Sequence, residues 1–111
     1  MSLSPVKKWK LQRLTAIILI PLLVWFLYSF LVLVYKDYSS AIDFFDNKLN
    51  SILFLVFIIF VALHSKIGVG EIIEDYIHSA SLKKFLNTVA LIYSILMPLI
   101  GIISVVYIII V

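Results

Sequence analysis

The sequence predicts an all-α membrane protein, one domain over residues 1–111 with three transmembrane helices. Hydrophobic residues fill 64% of the 111 positions and charged residues 14%, with a mean hydropathy of +1.19. That leaves too little polar surface to cover a water-soluble globule. The apolar residues also fall in three long stretches, each near the length a helix needs to cross a bilayer. Three helices enclose little interior space, so the expected setting is a multi-subunit helical bundle.

The first apolar stretch, about 15–35, follows a short basic segment carrying Lys7, Lys8, Lys10 and Arg13. A basic start before an apolar run also opens a secretory signal peptide. Here the run is long, and Leu27, Tyr28, Ser29 and Phe30 stand where small residues would mark a cleavage site, so a retained helix is expected. Pro21 is expected to kink it, with neighbouring helices satisfying the freed carbonyl.

Lys36 to Asn50 reads as a loop. Asp37, Asp43 and Asp46 outnumber Lys36 and Lys48, and Tyr35 and Tyr38 stand where an aromatic belt belongs. The second helix is expected over 51–76 and the third over 85–111, joined by a link with Ser79, Ser81, Lys83 and Lys84.

Lysine and arginine gather in the N-terminal segment and the second link. The positive-inside rule therefore puts both on the cytoplasmic side, or the matrix side of a mitochondrial inner membrane. The pI near 9.2 comes from these flanking lysines, the pattern of topology signals and lipid contacts and not of a nucleic-acid footprint. With no cysteine, the chain supplies no thiolate ligand to zinc or an iron–sulfur cluster and no covalent haem attachment. Its three glycines exclude a glycine-rich phosphate loop.

The second helix carries the chemistry. Its run Ile52–Leu63 covers only ~18 Å of a ~30 Å bilayer core, so the span must continue through His64, Ser65, Lys66 and Gly68. An ionisable residue at that depth marks a functional position. At ~100° per residue, Gly68, Glu71, Asp75 and His78 fall within ~40° of His64 on a continuous helix. Gly68 leaves room for a flat ligand against the helix, and a neutral imidazole one turn away suits a haem iron. The same histidine also reads as a polar helix–helix contact, the carboxylates as ordinary residues of an emerging helix, Lys66 as a snorkelling side chain and Arg13 as a topology charge. His64 and His78, ~21 Å apart, would seat two stacked haems only if His78 lay within the membrane. Glu74 and His78 form an i, i+4 pair with no second pair to complete a metal site.

Gln12–Ile17 (Q-R-L-T-A-I), then His64 and Gly68 (H-x-x-x-G), then Glu74–His78 (E-D-Y-I-H) occur in a chain with three apolar helices. In this the sequence resembles the small hydrophobic membrane anchor of succinate dehydrogenase, the cytochrome b small subunit of respiratory complex II, over essentially its whole length. The resemblance implies that His64 is an axial ligand of haem b and that Arg13 lies near the haem propionates. It implies that Tyr76 hydrogen-bonds a ubiquinone carbonyl, with Asp75 its acidic neighbour in that site. Succinate oxidation and the iron–sulfur relay would then reside in a flavoprotein subunit and an iron–sulfur subunit. The second axial imidazole would come from a partner cytochrome b membrane subunit, since the other histidine, His78, is expected at the surface. A fumarate reductase anchor and a non-redox helical membrane protein moving protons through His64, Glu71 and Asp75 stay open as alternatives.

Overall fold

The computed structural model describes residues 4–111; residues 1–3, the start of the basic segment, lie outside the described residues. Among the described residues four helices follow in order: α1 (Pro5–Leu33), α2 (Tyr38–Asp46), α3 (Lys48–Tyr76) and α4 (Ala80–Ile110). The three long ones are apolar enough to cross a membrane. At ~1.5 Å per residue, the 29 residues of α1 and of α3 reach ~43 Å and the 31 of α4 reach ~46 Å. Each overruns a ~30 Å hydrocarbon core. That overrun explains why apolar runs place helix starts near Thr15 and Phe85 while the helices begin at Pro5 and Ala80. Hydropathy marks where lipid begins, whereas the hydrogen-bond ladder begins at a cap. For α1 that cap is Ser4, whose hydroxyl accepts from Lys7 N at 3.2 Å. Pro5 follows in the first turn, where a missing N–H removes no helix bond. Ser79 caps α4 in the same way, accepting from Leu82 N at 3.3 Å.

The region 36–50 is a correction to the sequence reading: it holds α2, a short amphipathic helix, in place of a plain loop. Asp37 starts α2 by accepting from Ser39 Oγ at 2.8 Å, Ser40 Oγ at 3.0 Å and Ser40 N at 3.2 Å. These donors, the Ser39 hydroxyl foremost, hold its carboxyl below the usual value for an aspartate. Phe44 and Phe45 are half-buried, while Asp43 and Asp46 face outward. The far end of α2 is tied down by α3. Asn50 Nδ2 donates to Phe44 O at 3.0 Å, and Ser51 Oγ donates to Phe45 O. Asn47 ends α2 and caps α3, accepting from Leu49 N at 3.0 Å and Asn50 N at 3.3 Å.

Above this junction lies an aromatic cluster. Trp25 stacks on Phe44 at 5.9 Å between ring centroids, Phe45 meets Phe54 edge-on at 5.2 Å, and Phe26 stacks on Phe57 at 4.8 Å. Each such pair contributes ~0.5–1.5 kcal/mol beyond its buried area, so the cluster fastens α1, α2 and α3 together at one end of the bundle. The central helix is α3: α1, α2 and α4 all pack on it, while α1 and α4 do not pack closely on each other. The α3–α4 contact closes around Gly101, which faces Ile58 and Phe54. At the opposite end from α2, Lys83 Nζ pairs with Glu74 at 3.2 Å across the α3–α4 link. Among the described residues Phe57, Ile73 and Val105 are the buried apolar ones, while most large apolar side chains face outward, as a lipid-facing or partner-facing surface requires.

Candidate functional site

His64 lies ~18 Å along α3 from Tyr76 and ~24 Å from Lys48, which sets it near the middle of the span. It faces α1. Its Nδ1 lies 2.9 Å from Thr15 Oγ1, and Thr15 is fully buried at 0% exposure. Thr15 lies within the Q-R-L-T-A-I element, which marks it with no role of its own. A threonine in an apolar helix ordinarily bonds back to its own helix, and a partner 49 positions away leaves no local signal.

The contacts around Thr15 favour one tautomer of the imidazole. Thr15 Oγ1 also sits 2.8 Å from Leu11 O and 3.0 Å from Gln12 O. Carbonyl oxygens only accept, so the single hydroxyl proton belongs to this backbone pair. The hydroxyl then meets His64 with a lone pair, and Nδ1 is the nitrogen that carries hydrogen; this tautomer is assigned from the hydrogen-bond network. Nε2 is left with its lone pair free, which is the form of imidazole that ligates a metal.

One turn further along, Gly68 faces Gln12. A Cβ at Gly68 would stand 3.2 Å from Gln12 Nε2, so within this chain the amide takes the space that the glycine opens. Gln12 Oε1 is buried without a hydrogen-bond partner among the described residues. Thr15 against His64 and Gln12 against Gly68 thus form two consecutive polar rungs of the α1–α3 contact. Arg13 points elsewhere on α1, exposed, with its guanidinium carbon 5.3 Å from the centre of the Trp9 ring. That cation–π contact holds the charge on the outer side of α1.

The emerging end of α3 divides. Asp75 and Glu71 line an open cleft of about 1160 Å³ between α1, α3 and α4, shared with Lys8, Lys66, Lys84 and Asn87. Tyr76 is 75% exposed and does not line that cleft; successive helix residues differ by ~100°, so the two neighbours project in different directions. The continuous face running from His64 to His78 requires correction. The helix ends at Tyr76, and the cap residue Ile77 is extended at φ −103°, ψ 124°. His78 therefore stands in the link, exposed, and is no second intramembrane histidine. No group of three or more metal-ligating side chains occurs among the described residues.

The succinate dehydrogenase/fumarate reductase transmembrane subunit family matches residues 4–110. The chain is 34% identical over 99 residues to a succinate dehydrogenase hydrophobic membrane anchor subunit of Rickettsia bellii, covering 89% of this chain and 79% of that one. A similarly named subunit of Rickettsia typhi is 26% identical over 96% of this chain and 85% of its own length. A succinate dehydrogenase membrane anchor subunit of Reclinomonas americana is 30% identical over 63% of this chain and 61% of its own. With helix number, span length and the match over residues 4–110 in agreement, the chain belongs to the succinate dehydrogenase/fumarate reductase transmembrane subunit family.

Proposed function

We propose that this chain is the hydrophobic anchor subunit of a succinate dehydrogenase, seating haem b through His64 and helping to bind ubiquinone through Tyr76 and Asp75. The observation that carries the reading is the Thr15–His64 hydrogen bond, 2.9 Å at Nδ1, which leaves Nε2 of a mid-membrane histidine as a free lone pair. A histidine serving only as a polar helix contact has no need of that nitrogen. The names of the relatives support the succinate dehydrogenase reading over the fumarate reductase one.

The residues fit the group. His64 Nε2 would ligate the iron from this side, and the partner cytochrome b subunit would supply the opposite imidazole. Arg13, on the outer side of α1 against Trp9, would have to leave that contact to serve propionates on the His64 side. Gly68 contributes by letting Gln12 and α1 close on α3 beneath the ligand. The haem would supply a one-electron store beside the quinone. At the surface, the Tyr76 hydroxyl donates a hydrogen bond to a quinone carbonyl and makes it more electrophilic. Reduction of the quinone would take two electrons from the iron–sulfur subunit and two protons; Asp75, which lines the neighbouring cleft, would relay protons to it around the end of α3. The flavoprotein subunit oxidises succinate. The assembly sits in a bacterial inner membrane or a mitochondrial inner membrane with the N-terminus on the cytoplasmic or matrix side, where Lys7, Lys8 and Lys10 meet anionic lipid.

The test is the purified complex. It should show reduced-minus-oxidised bands of a b-type haem, and His64→Ala should remove or shift them. Tyr76→Phe should lower quinone reduction about tenfold, the loss of one hydrogen bond of ~1.4 kcal/mol, with the haem bands unchanged. Native haem bands in the His64→Ala complex would refute the ligand assignment.

A further inference from the structure

Thr15 lies at an unusual intersection. It is fully buried, it is the contact between α1 and the His64 ring, and its proton is committed to its own backbone. We propose that Thr15 is a positioning residue that fixes the tautomer and ring orientation of His64 and, through Nδ1, tunes how strongly His64 donates electrons at Nε2. The proposal rests on the reading of His64 as the axial ligand.

The argument runs from the acceptor's chemistry. An imidazole whose Nδ1–H is bonded gains electron density at Nε2, and the partner holds the ring plane. Rotating the ring by 180° about its bond to Cβ would break the 2.9 Å contact and present a carbon to a buried hydroxyl. That is unfavourable where no water can replace the lost partner. A hydroxyl is a milder acceptor than a carboxylate, so the donation it supports is moderate. Greater donation at Nε2 favours the ferric over the ferrous ion, so loss of the Thr15 acceptor should raise the reduction potential. The neighbouring rung constrains the same geometry. Gln12 O is one of the two carbonyls holding the Thr15 proton, and the Gln12 side chain is lodged against Gly68. The register of α1 on α3 is thereby fixed where the ligand is held.

The experiment uses the complete complex, co-expressed with its partner subunits, in wild-type, Thr15→Val, Thr15→Ser and His64→Ala forms. Redox titration of the haem absorbance and low-spin electron paramagnetic resonance are the readouts. Thr15→Val keeps the shape and loses the acceptor; its potential should shift upward and its g-values should move. Thr15→Ser keeps the hydroxyl and should retain wild-type values. A Thr15→Val complex with wild-type potential and g-values would overturn the proposal, as would a Thr15→Ser shift as large as that of Thr15→Val. Should Thr15→Val fail to assemble, the wild-type complex is read directly by the ¹H and ¹⁵N resonances of the His64 Nδ1–H in the reduced, diamagnetic state. That proton should be shifted downfield and protected from exchange as a hydrogen-bonded one, and a rapidly exchanging, unbonded Nδ1–H would overturn the proposal. Native haem signals in the His64→Ala complex would instead sink the ligand reading itself, an outcome distinct from a failure confined to Thr15.

Discussion

Substitution at Gly101 tests the α3–α4 packing that holds the central helix in place. A methyl group at Gly101 would collide with Ile58 Cδ1, yet it would meet Ile58 Cγ1 at 3.7 Å and Phe54 Cε2 at 3.9 Å, both ordinary contacts. Only the far end of one flexible side chain has to move. An off-rotamer Ile58 costs ~0.5–1.5 kcal/mol, and replacing glycine by alanine within a helix returns ~1 kcal/mol. Gly101→Ala should therefore lie within about 1 kcal/mol of wild type. Gly101→Leu must displace both Ile58 and Phe54 and should cost ~1–3 kcal/mol. Ile58→Val removes the colliding Cδ1 and alone should cost ~0.5–1.5 kcal/mol. Combined with Gly101→Ala it should cost less than the sum of the two, because the new methyl occupies the vacated space. Unfolding in mixed micelles titrated with sodium dodecyl sulfate, followed by circular dichroism, gives the four stabilities of the double-mutant cycle. An additive cycle, or a Gly101→Leu variant as stable as wild type, would refute this account of the contact.

Orientation can be read by labelling, because the chain has no native cysteine. Ser39→Cys should react with an impermeant thiol reagent from the periplasmic or intermembrane side and Ser79→Cys only from the inner side; the reverse pattern would overturn the lysine-based orientation. Asp37 should titrate below an ordinary aspartate in a pH series followed by side-chain carboxyl NMR. Its folded value is depressed, so the stability it lends to the α2 cap is present above the unfolded value and fades as pH falls through the folded one. Asp37→Asn should flatten that pH dependence, and a series unchanged by the substitution would dissociate the cap from the titration.

The spans were legible because apolar length is a global quantity: lipid thickness sets it, and no detail of packing can shorten it. Helix ends were less legible, since the caps at Ser4 and Ser79 sit in polar sequence beyond the hydrocarbon. The helix α2 was missed because nine residues with Asp43 and Asp46 look like a solvated loop. What makes them helical is the Asp37 cap together with tertiary anchors from Asn50, Ser51 and Trp25. At the site, His64 was found because its ionisable ring interrupts an apolar run. Its partner Thr15 was not, because a threonine in a membrane helix carries no visible cost, its hydroxyl being satisfied locally.

The polar segment of α3 follows the same division. Had His64, Gly68, Glu71 and Asp75 formed a single lining, one ligand or one water-filled path could have explained them all. Instead the first two are spent against α1, on Thr15 and Gln12, while Glu71 and Asp75 open into the cleft between α1 and α4. The cleft runs along α3 as far as Leu63 and along α1 to Leu11, while the Gln12 amide fills the space at Gly68. The polar residues of α3 therefore answer to different neighbours: His64 and Gly68 to α1 near the middle of the span, Glu71 and Asp75 to the cleft, with Tyr76 exposed at the helix end.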